Sequence, residues 1–420
     1  MCVRMGSLVQ CLERNMQEQK QYSSYRWTIQ AILLILQISM GLNFMAPTPL
    51  FTLIMDDYGI GRGLVSLLMS GTLIVVAVSL IPGGLLTNSI GAKKAMFVGG
   101  LLMSTGLLAP FADSFTSLVM VRVIFGMGVA ITMPTTSAIT MEWFKPNERP
   151  IINGITESGR AVGVAIGVLI AVPIANSVGW SMTFAVYGML PATGAILWLI
   201  GGRAAEKSLE TDPVFSFRDN IPFILNRNIF LLALAASGPF AVFIGYSSWL
   251  PTYYVEVQDM TMEKASSIVA VLPLTNAVFN PVSGVLLSKM ERRKPMLIIA
   301  GVSLPFLALG SFLMTNPVII VACIIGLGAV FSMFIVILLT IPMELPGVTA
   351  GRVGMVMASI FAVGNLSGLI SPIFIGSLTD FTGSYIPALS ILAILPITLI
   401  ISGVLLPETG RMAKDYELTN

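Results

Sequence analysis

Histidine is absent from the 420 residues, cysteine occurs three times, and Asp, Glu, Lys and Arg together make up only 10%. Without an imidazole there is no His-based metal site and no His-activated nucleophile, and any proton coupling falls to a carboxylate. Cys2, Cys11 and Cys323 are too few and too scattered for a disulfide framework or a metal cluster. Cys323 lies in an apolar run, where it reads as a small buried hydrophobe. A phosphate-cradling Walker sequence, a His-Glu-x-x-His motif and a sizeable soluble stretch are also missing, which argues against an enzyme or a receptor. No metal or other cofactor is called for, and nucleic acid is not an expected partner.

What the chain has in place of charge is apolar surface, at 55% hydrophobic residues. A soluble domain has nowhere to put that much, so the solvent is lipid. A bilayer-spanning helix needs about 20 mainly apolar residues. Twelve such runs are present, near 27–49, 64–86, 95–112, 115–140, 151–175, 180–201, 228–250, 265–288, 296–314, 317–341, 353–378 and 385–406. Barrel strands would be about half as long and would alternate, so the expected class is all-α and integral to the membrane.

The first 26 residues mix Gln, Glu, Arg and Ser and lack the apolar core and cleavage site of a signal peptide, so the first run is itself the insertion signal. Lys and Arg concentrate on the cytoplasmic side of membrane proteins. With both termini and the even-to-odd loops placed inside, the 23 Lys and Arg residues are all cytoplasmic except Arg62 and Lys264 outside and Arg122 and Arg160 within spans. The net charge of +2 conceals that asymmetry. It predicts a multi-pass protein of the plasma membrane, the inner membrane in a prokaryote, with both termini cytoplasmic.

Two stretches 200 residues apart, Gly84 to Lys94 and Gly284 to Lys294, each read as an apolar helix ending in a glycine-led turn and a cationic cluster. One longer loop carries Arg203, Glu206, Lys207, Glu210, Asp212, Arg218, Asp219 and Arg227 and divides the runs six and six. The expected organisation is a tail (1–26), a six-helix unit (27–201), a cytoplasmic connection (202–227), a second six-helix unit (228–406) and a polar tail (407–420). An internal parallel repeat accounts for the offset.

These features resemble the major facilitator superfamily of secondary transporters over nearly the whole chain. The family's turn reads Gly-x-x-x-Asp-Arg-x-Gly-Arg-Lys. Here Gly84, Gly91 and Lys93 match while Asn88, Ser89 and Ala92 depart; in the second copy Gly284, Arg292 and Arg293 match while Ser288, Lys289 and Glu291 depart. Arg122-Val-Ile-Phe-Gly126-Met-Gly128 resembles the helix 4 signature, Trp143 to Arg149 the following loop, and Gly376-Ser-Leu-Thr-Asp380 with the closing Pro407-Glu408-Thr409 the C-terminal end. The resemblance implies two pseudo-symmetric six-helix bundles around a central cavity and transport by alternating access. It also implies a turn that latches helix ends through its aspartate, and both aspartates are replaced here. The remaining glycine and cations retain the means to shape the turn and to meet anionic lipid headgroups.

A charge inside a span costs several kcal/mol, about 2.5–3.5 by insertion scales, and so points to function. Arg122 lies two turns into the fourth span and needs a carboxylate, carbonyls, water or an anionic substrate; the resemblance places it near the substrate path. Glu157 and Arg160, three apart on the fifth helix, share a face and are candidates for a mutual pair, an inner gate or a proton site. Counting about 1.5 Å per residue, Arg122 and Glu157 differ in depth by roughly 15 Å, which argues against a direct bond. Gly154, Gly159, Gly163 and Gly167 permit close helix approach. Drug/proton antiporters of the family follow such a ladder with Gly-Pro, whereas Gly163 precedes Val164.

On helix 7, Tyr246-Ser-Ser-Trp249-Leu-Pro-Thr-Tyr253-Tyr254 looks like the anion:cation symporter and cyanate/nitrate-type branches, although interfacial aromatics also form belts. Gln37, Asn43, Asn276, Asn280 and Asn365 are candidates for substrate contact or for interhelical hydrogen bonds. Arg122 and Arg160 have no arginine 200 residues later, at Ala322 and Ile360, so the first unit is the more positive. The combined expectation is a monomeric secondary transporter taking up a small organic anion with H⁺ or Na⁺. The alternative is proton-antiport efflux of a drug or metabolite. Arg122, Asn43, Tyr246, Trp249, Asn276, Asn280 and Asn365 are the substrate candidates, and Glu157 and Arg160 those for coupling or gating.

Overall fold

Lipid offers a backbone no hydrogen-bond partners, so each span must pair its own N–H and C=O groups, and a helix is how a lone segment does it. A computed structural model describes residues 24–65, 67–203, 226–345 and 347–410. Twelve helical segments in it are long and apolar enough to span. They are α1 (Arg26–Phe44), α2 (Leu67–Ile90), α3 (Ala92–Met103, carried on by the 3-10 helix Ser104–Phe111 to complete the span), α4 (Phe115–Trp143), α5 (Arg149–Val178) and α6 (Trp180–Gly201). After the connection come α7 (Arg227–Glu256), α8 (Met262–Lys289), α9 (Lys294–Leu313), α10 (Pro317–Glu344), α11 (Ala350–Thr382) and α12, the last in two pieces (Tyr385–Ile394 and Ile397–Leu405). No strand occurs among the described residues. Cys2, Cys11 and most of the 1–26, 202–227 and 407–420 segments lie outside them.

The helix contacts repeat. In the first bundle α1 lies on α5 and α2 and α3 lie on α4; in the second α7 lies on α11 and α8 and α9 lie on α10. Between bundles, α5 meets α8 and α2 meets α11, the same pair of contacts exchanged by the pseudo-twofold. The six-plus-six architecture read from the sequence is therefore the observed one.

Glycines set how closely these helices approach. A Cβ on Gly41 would run into the Arg160 carbonyl and one on Gly163 into the Ile38 carbonyl, while one on Gly167 would sit 2.6 Å from the Leu42 carbonyl oxygen. Gly159 of α5 faces the Leu34 side chain of α1. Gly154 does not belong to that ladder. Five residues before Gly159, it is rotated well off that face and lies against Asn280 and Pro281 of α8.

The repeated motif is also built differently from the expectation of a glycine-led turn. Gly84 and Gly284 are not in turns: α2 continues to Ile90 and α8 to Lys289. Each glycine instead faces the other bundle: a Cβ on Gly84 would lie 3.0 Å from the Gly354 carbonyl oxygen and one on Gly284 2.5 Å from that of Pro150. The turn of the first copy is made by Gly91, whose φ of 83° suits a residue without a side chain. Glu291 occupies that place in the second copy and is not in the left-handed region.

The α1–α5 contact yields a stability test. Gly163→Val places branched atoms against the Ile38 backbone, which cannot retreat as a side chain can. It is expected to destabilise the protein by about 1–3 kcal/mol or more, read as a lowered unfolding temperature and loss of the monodisperse peak. Gly91→Ala, strained but uncrowded, should cost less.

Candidate functional site

Just past its C-terminal end α1 meets Pro47, which has no N–H for the Asn43 carbonyl four residues back. Thr48, next in line to serve Phe44, turns its N–H to Met45 instead at 3.2 Å. Two carbonyls are thus left without an intrahelical donor at the negative end of the helix. Arg122 of α4 serves both: Nη1 donates to Asn43 O at 2.9 Å and Nη2 to Phe44 O at 3.0 Å, while Nε donates to Leu68 O of α2 at 3.3 Å. The guanidinium lies 4.7 Å from the Phe125 ring centroid, and the residue is 2% exposed. Its donors face backbone, so Arg122 ties the ends of α1 and α2 to α4.

Deeper in the molecule the two bundles enclose a small cavity of about 20 Å³, enough for a water molecule. It is lined by Gln37 of α1, Met133, Thr136 and Ser137 of α4, Asn153, Thr156 and Glu157 of α5, Leu339 of α10 and Phe361 of α11. Gln37 donates to Thr136 Oγ1 and Asn153 to Thr340 Oγ1, at 3.0 and 3.3 Å. Glu157 is the titratable side chain in this lining. Arg160 Nε donates to its Oε2 at 3.0 Å, and Nη2 donates to the same oxygen. The carboxylate side chain is 9% exposed and the guanidinium side chain 36%, and of the two it is Glu157 that lines the cavity.

The cavity is closed on the side of the 4–5 and 8–9 connections. Arg149 Nη1 donates to Met343 O, Ser158 Oγ donates to Ala277 O, and the Gly84, Gly154 and Gly284 approaches complete the seal. Apart from the Ser158–Ala277 bond, which lies level with Glu157, these sit toward the ends of α2, α8 and α10 or the starts of α5 and α11.

The remaining sequence candidates do not converge on the cavity. The Asn43 amide donates to Ser39 O and Tyr187 O within the first bundle. Tyr246 is fully buried and donates to Leu389 O, and Trp249 Nε1 donates to Pro372 O beside Tyr385. Asn280 donates to Asn276 Oδ1 and accepts from Ser332, both at 2.7 Å, forming a polar knot between α8 and α10. The Asn365 amide bonds back to Phe361 O in its own helix. Of the motif cations, Lys93 and Arg292 are exposed. Arg293 is buried, with Nη2 and Nε on the two Glu344 oxygens at 2.8 and 3.2 Å. Glu408 of the closing Pro-Glu-Thr accepts from the Arg293 and Lys294 backbone N–H groups at the start of α9. Glu148 plays a related part in the first bundle, accepting from Arg26 Nη1 at 2.9 Å and from the Lys145 N–H. Thr136, Asn153 and Thr156 were not singled out from the sequence. The signal was there in part, since Asn153, Thr156, Glu157 and Arg160 follow one another at spacings that keep them on one helix face.

Several comparisons bear on this architecture. The sequence profile of the Major Facilitator Superfamily matches residues 33–372. A hexuronate transporter of Bacillus subtilis is 24% identical over 351 residues, covering 79% of this chain and 83% of the relative. A nitrite extrusion protein of the same organism is 26% identical over 341 residues, covering 78% and 81%. Among solved structures, the proton:xylose symporter XylE superposes with a TM-score of 0.74 at 13% identity, over 94% of this chain and 99% of that one. The human organic anion transporter MFSD10 superposes with the same score at 14% identity, over 91% and 99%. With its twelve spans in two exchanged bundles around a closed cavity, this chain belongs to the Major Facilitator Superfamily and is a multi-pass membrane transporter, not an enzyme.

Proposed function

We propose that the protein carries a small organic anion into the cytoplasm by alternating access, with a proton as the coupling ion. The observation that carries this reading is the Glu157–Arg160 pair, a carboxylate in the lining of the inter-bundle cavity and the guanidinium bonded to it. Relatives named for hexuronate, for galactarate and D-glucarate and for nitrate support the anionic class. The seal includes glycines set against the backbone of the opposite bundle and hydrogen bonds to carbonyl oxygens. The distribution of Lys and Arg supports a plasma-membrane location with the seal on the cytoplasmic side and both termini inside. Export of an anion is the second reading, favoured by the relative named for nitrite extrusion.

We assign Arg122 to positioning: it completes the pairing of the α1 terminus and keeps Gly41 against the Arg160 backbone. The polar groups Asn43, Asn276, Asn280, Asn365, Tyr246 and Trp249 serve, in this reading, the packing of their own bundles.

The test is uptake into proteoliposomes of labelled D-glucuronate, D-glucarate, sulfoacetate, nitrate and nitrite under an imposed pH or Na⁺ gradient. Saturable uptake of at least one, driven by an outside-acid gradient, is the expected outcome. Export of the anion in exchange for external protons supports the second reading. A thermal-shift screen runs beside it, since a ligand at a hundred times its Kd adds about 2.7 kcal/mol to stability. Arg122→Ala should lower stability by about 1–3 kcal/mol per carbonyl left unpaired and reduce the transport rate with little change in KM. A KM raised tenfold or more at unchanged stability would make Arg122 an anion ligand instead.

A further inference from the structure

We infer that the first bundle carries a binding site for an anionic phospholipid at the end where α3 begins and α6 finishes: the exposed cations Lys93, Lys94 and Arg203 take the phosphate, and the apolar stripe Ile196, Leu199 and Ile200 lies along an acyl chain. That this leaflet is the cytoplasmic one rests on the orientation proposed above, and the site itself does not.

Three helix ends are bound into one surface there. Trp198 of α6, a buried side chain, donates from Nε1 to the Lys93 carbonyl at 2.9 Å, which fixes the start of α3 against the end of α6. Gly202 packs on the same indole: its N–H donates to the Trp198 carbonyl at 2.7 Å, and a Cβ there would lie 2.8 Å from the ring. Tyr25, just ahead of α1, donates to the Gly201 carbonyl at 2.7 Å, and the Arg203 guanidinium lies 4.2 Å from the Tyr25 ring centroid. Arg203 is thereby stacked in place, one residue beyond the glycine that packs on the indole bonded to Lys93.

The apolar part of the site leads into these cations. Ile196, Leu199 and Ile200 stand at i, i+3 and i+4 and so share one face of α6, which ends close to Arg203. They are 56, 55 and 79% exposed. Within a bilayer such a face meets acyl chains, and a cation just past its end is level with the phosphate of an anionic headgroup.

The second bundle shows what the same place requires when the chain supplies the partner itself. Arg293 and Lys294 stand 200 residues on from Lys93 and Lys94, and Glu408 Oε1 accepts from both of their backbone N–H groups, at 2.9 and 3.2 Å. The Arg293 side chain is taken by Glu344, and Lys294 Nζ donates to the Val404 carbonyl at 3.1 Å. In the first bundle Gly91 offers α3 no side-chain cap, and among the described residues no carboxylate pairs with Lys93, Lys94 or Arg203. Arg26, another cation near this end, is spent on Glu148. An oxyanion seated on α3 as Glu408 is on α9 would meet first-turn N–H groups and two ammonium groups together. A free phosphate would use the cations alone, whereas a phosphodiester carrying acyl chains uses the stripe as well. Charge and apolar surface together therefore select the lipid.

The experiment titrates the purified full chain in neutral detergent with phosphatidylglycerol or with phosphatidylcholine of the same chain length, read by native mass spectrometry and by the unfolding temperature. Phosphatidylglycerol is expected to bind at least about tenfold more tightly and to raise the unfolding temperature. Lys93→Gln with Lys94→Gln should cut that preference by about tenfold, and adding Arg203→Gln should cut it further. The preference is taken as a ratio within each variant, so a change in stability common to both lipids cancels. Lys289→Gln with Arg292→Gln removes two exposed cations from the corresponding end of the second bundle and is expected to leave the preference within about twofold of wild type. Equal losses in the two double variants would reduce the effect to a general attraction and overturn the site, as would equal binding of the two lipids by the wild type. Glycerol 3-phosphate that stabilises the protein as well as phosphatidylglycerol does at the same concentration would make the ligand a free phosphate and overturn the lipid assignment.

Discussion

Every backbone group within lipid must find a partner inside the protein, and the point where this chain comes nearest to breaking that rule organises its first bundle. Pro47 ends α1 and strands the carbonyls of Asn43 and Phe44, and the Arg122 guanidinium supplies both missing donors from α4. A charge that is expensive to insert is thereby matched to two dipoles that are expensive to leave bare. The bond also reaches Leu68 of α2, so three helices are fixed at one point. A few residues back along α1, Gly41 sits against the Arg160 carbonyl, so the place of the Arg160 backbone follows from where α1 is held.

Strong and weak contacts are distributed unevenly between and within the bundles. The ion pairs Arg26–Glu148 and Arg293–Glu344 stay inside one bundle each, and Glu408 holds the start of α9 to the C-terminal end. The contacts between bundles at the sealed end include glycine against backbone and hydrogen bonds to carbonyls and a hydroxyl. The replacement of both family aspartates fits that arrangement. Arg293 has found Glu344 on its own side, whereas Asn88, at the first aspartate position, has both side-chain polar atoms buried without a protein partner.

The sequence and the structure part company at identifiable places. Hydropathy and the positive-inside pattern located twelve spans, and the observed helices overlie them with ends shifted by a few residues. The close pairing of Glu157 with Arg160 was legible because i and i+3 share a helix face. The assembly of candidates into one site was not legible. Tyr246, Trp249, Asn43, Asn276, Asn280 and Asn365 look alike on a sequence, as polar groups within apolar runs, yet each finds its partner inside one bundle. Gly154 and Gly163 likewise carry the same letter, and one faces α8 while the other faces α1.

The order of residues along the chain was sufficient for everything that depends on local chemistry. Apolar length decides what enters lipid, a proline breaks a helix, and a repeat at a fixed offset announces two like bundles. Partnership depends on rotation about the helix axis and on which helix lies alongside, and neither is encoded in a short window. Only the assembled structure decided that Arg122 serves the broken end of α1, that Gly84 and Gly284 face the opposite bundle, and that Glu157 with Arg160 stands where the bundles meet. The reason is that a buried polar group takes whichever complementary group the packing brings within about 3 Å, and the packing brings together residues far apart in the chain.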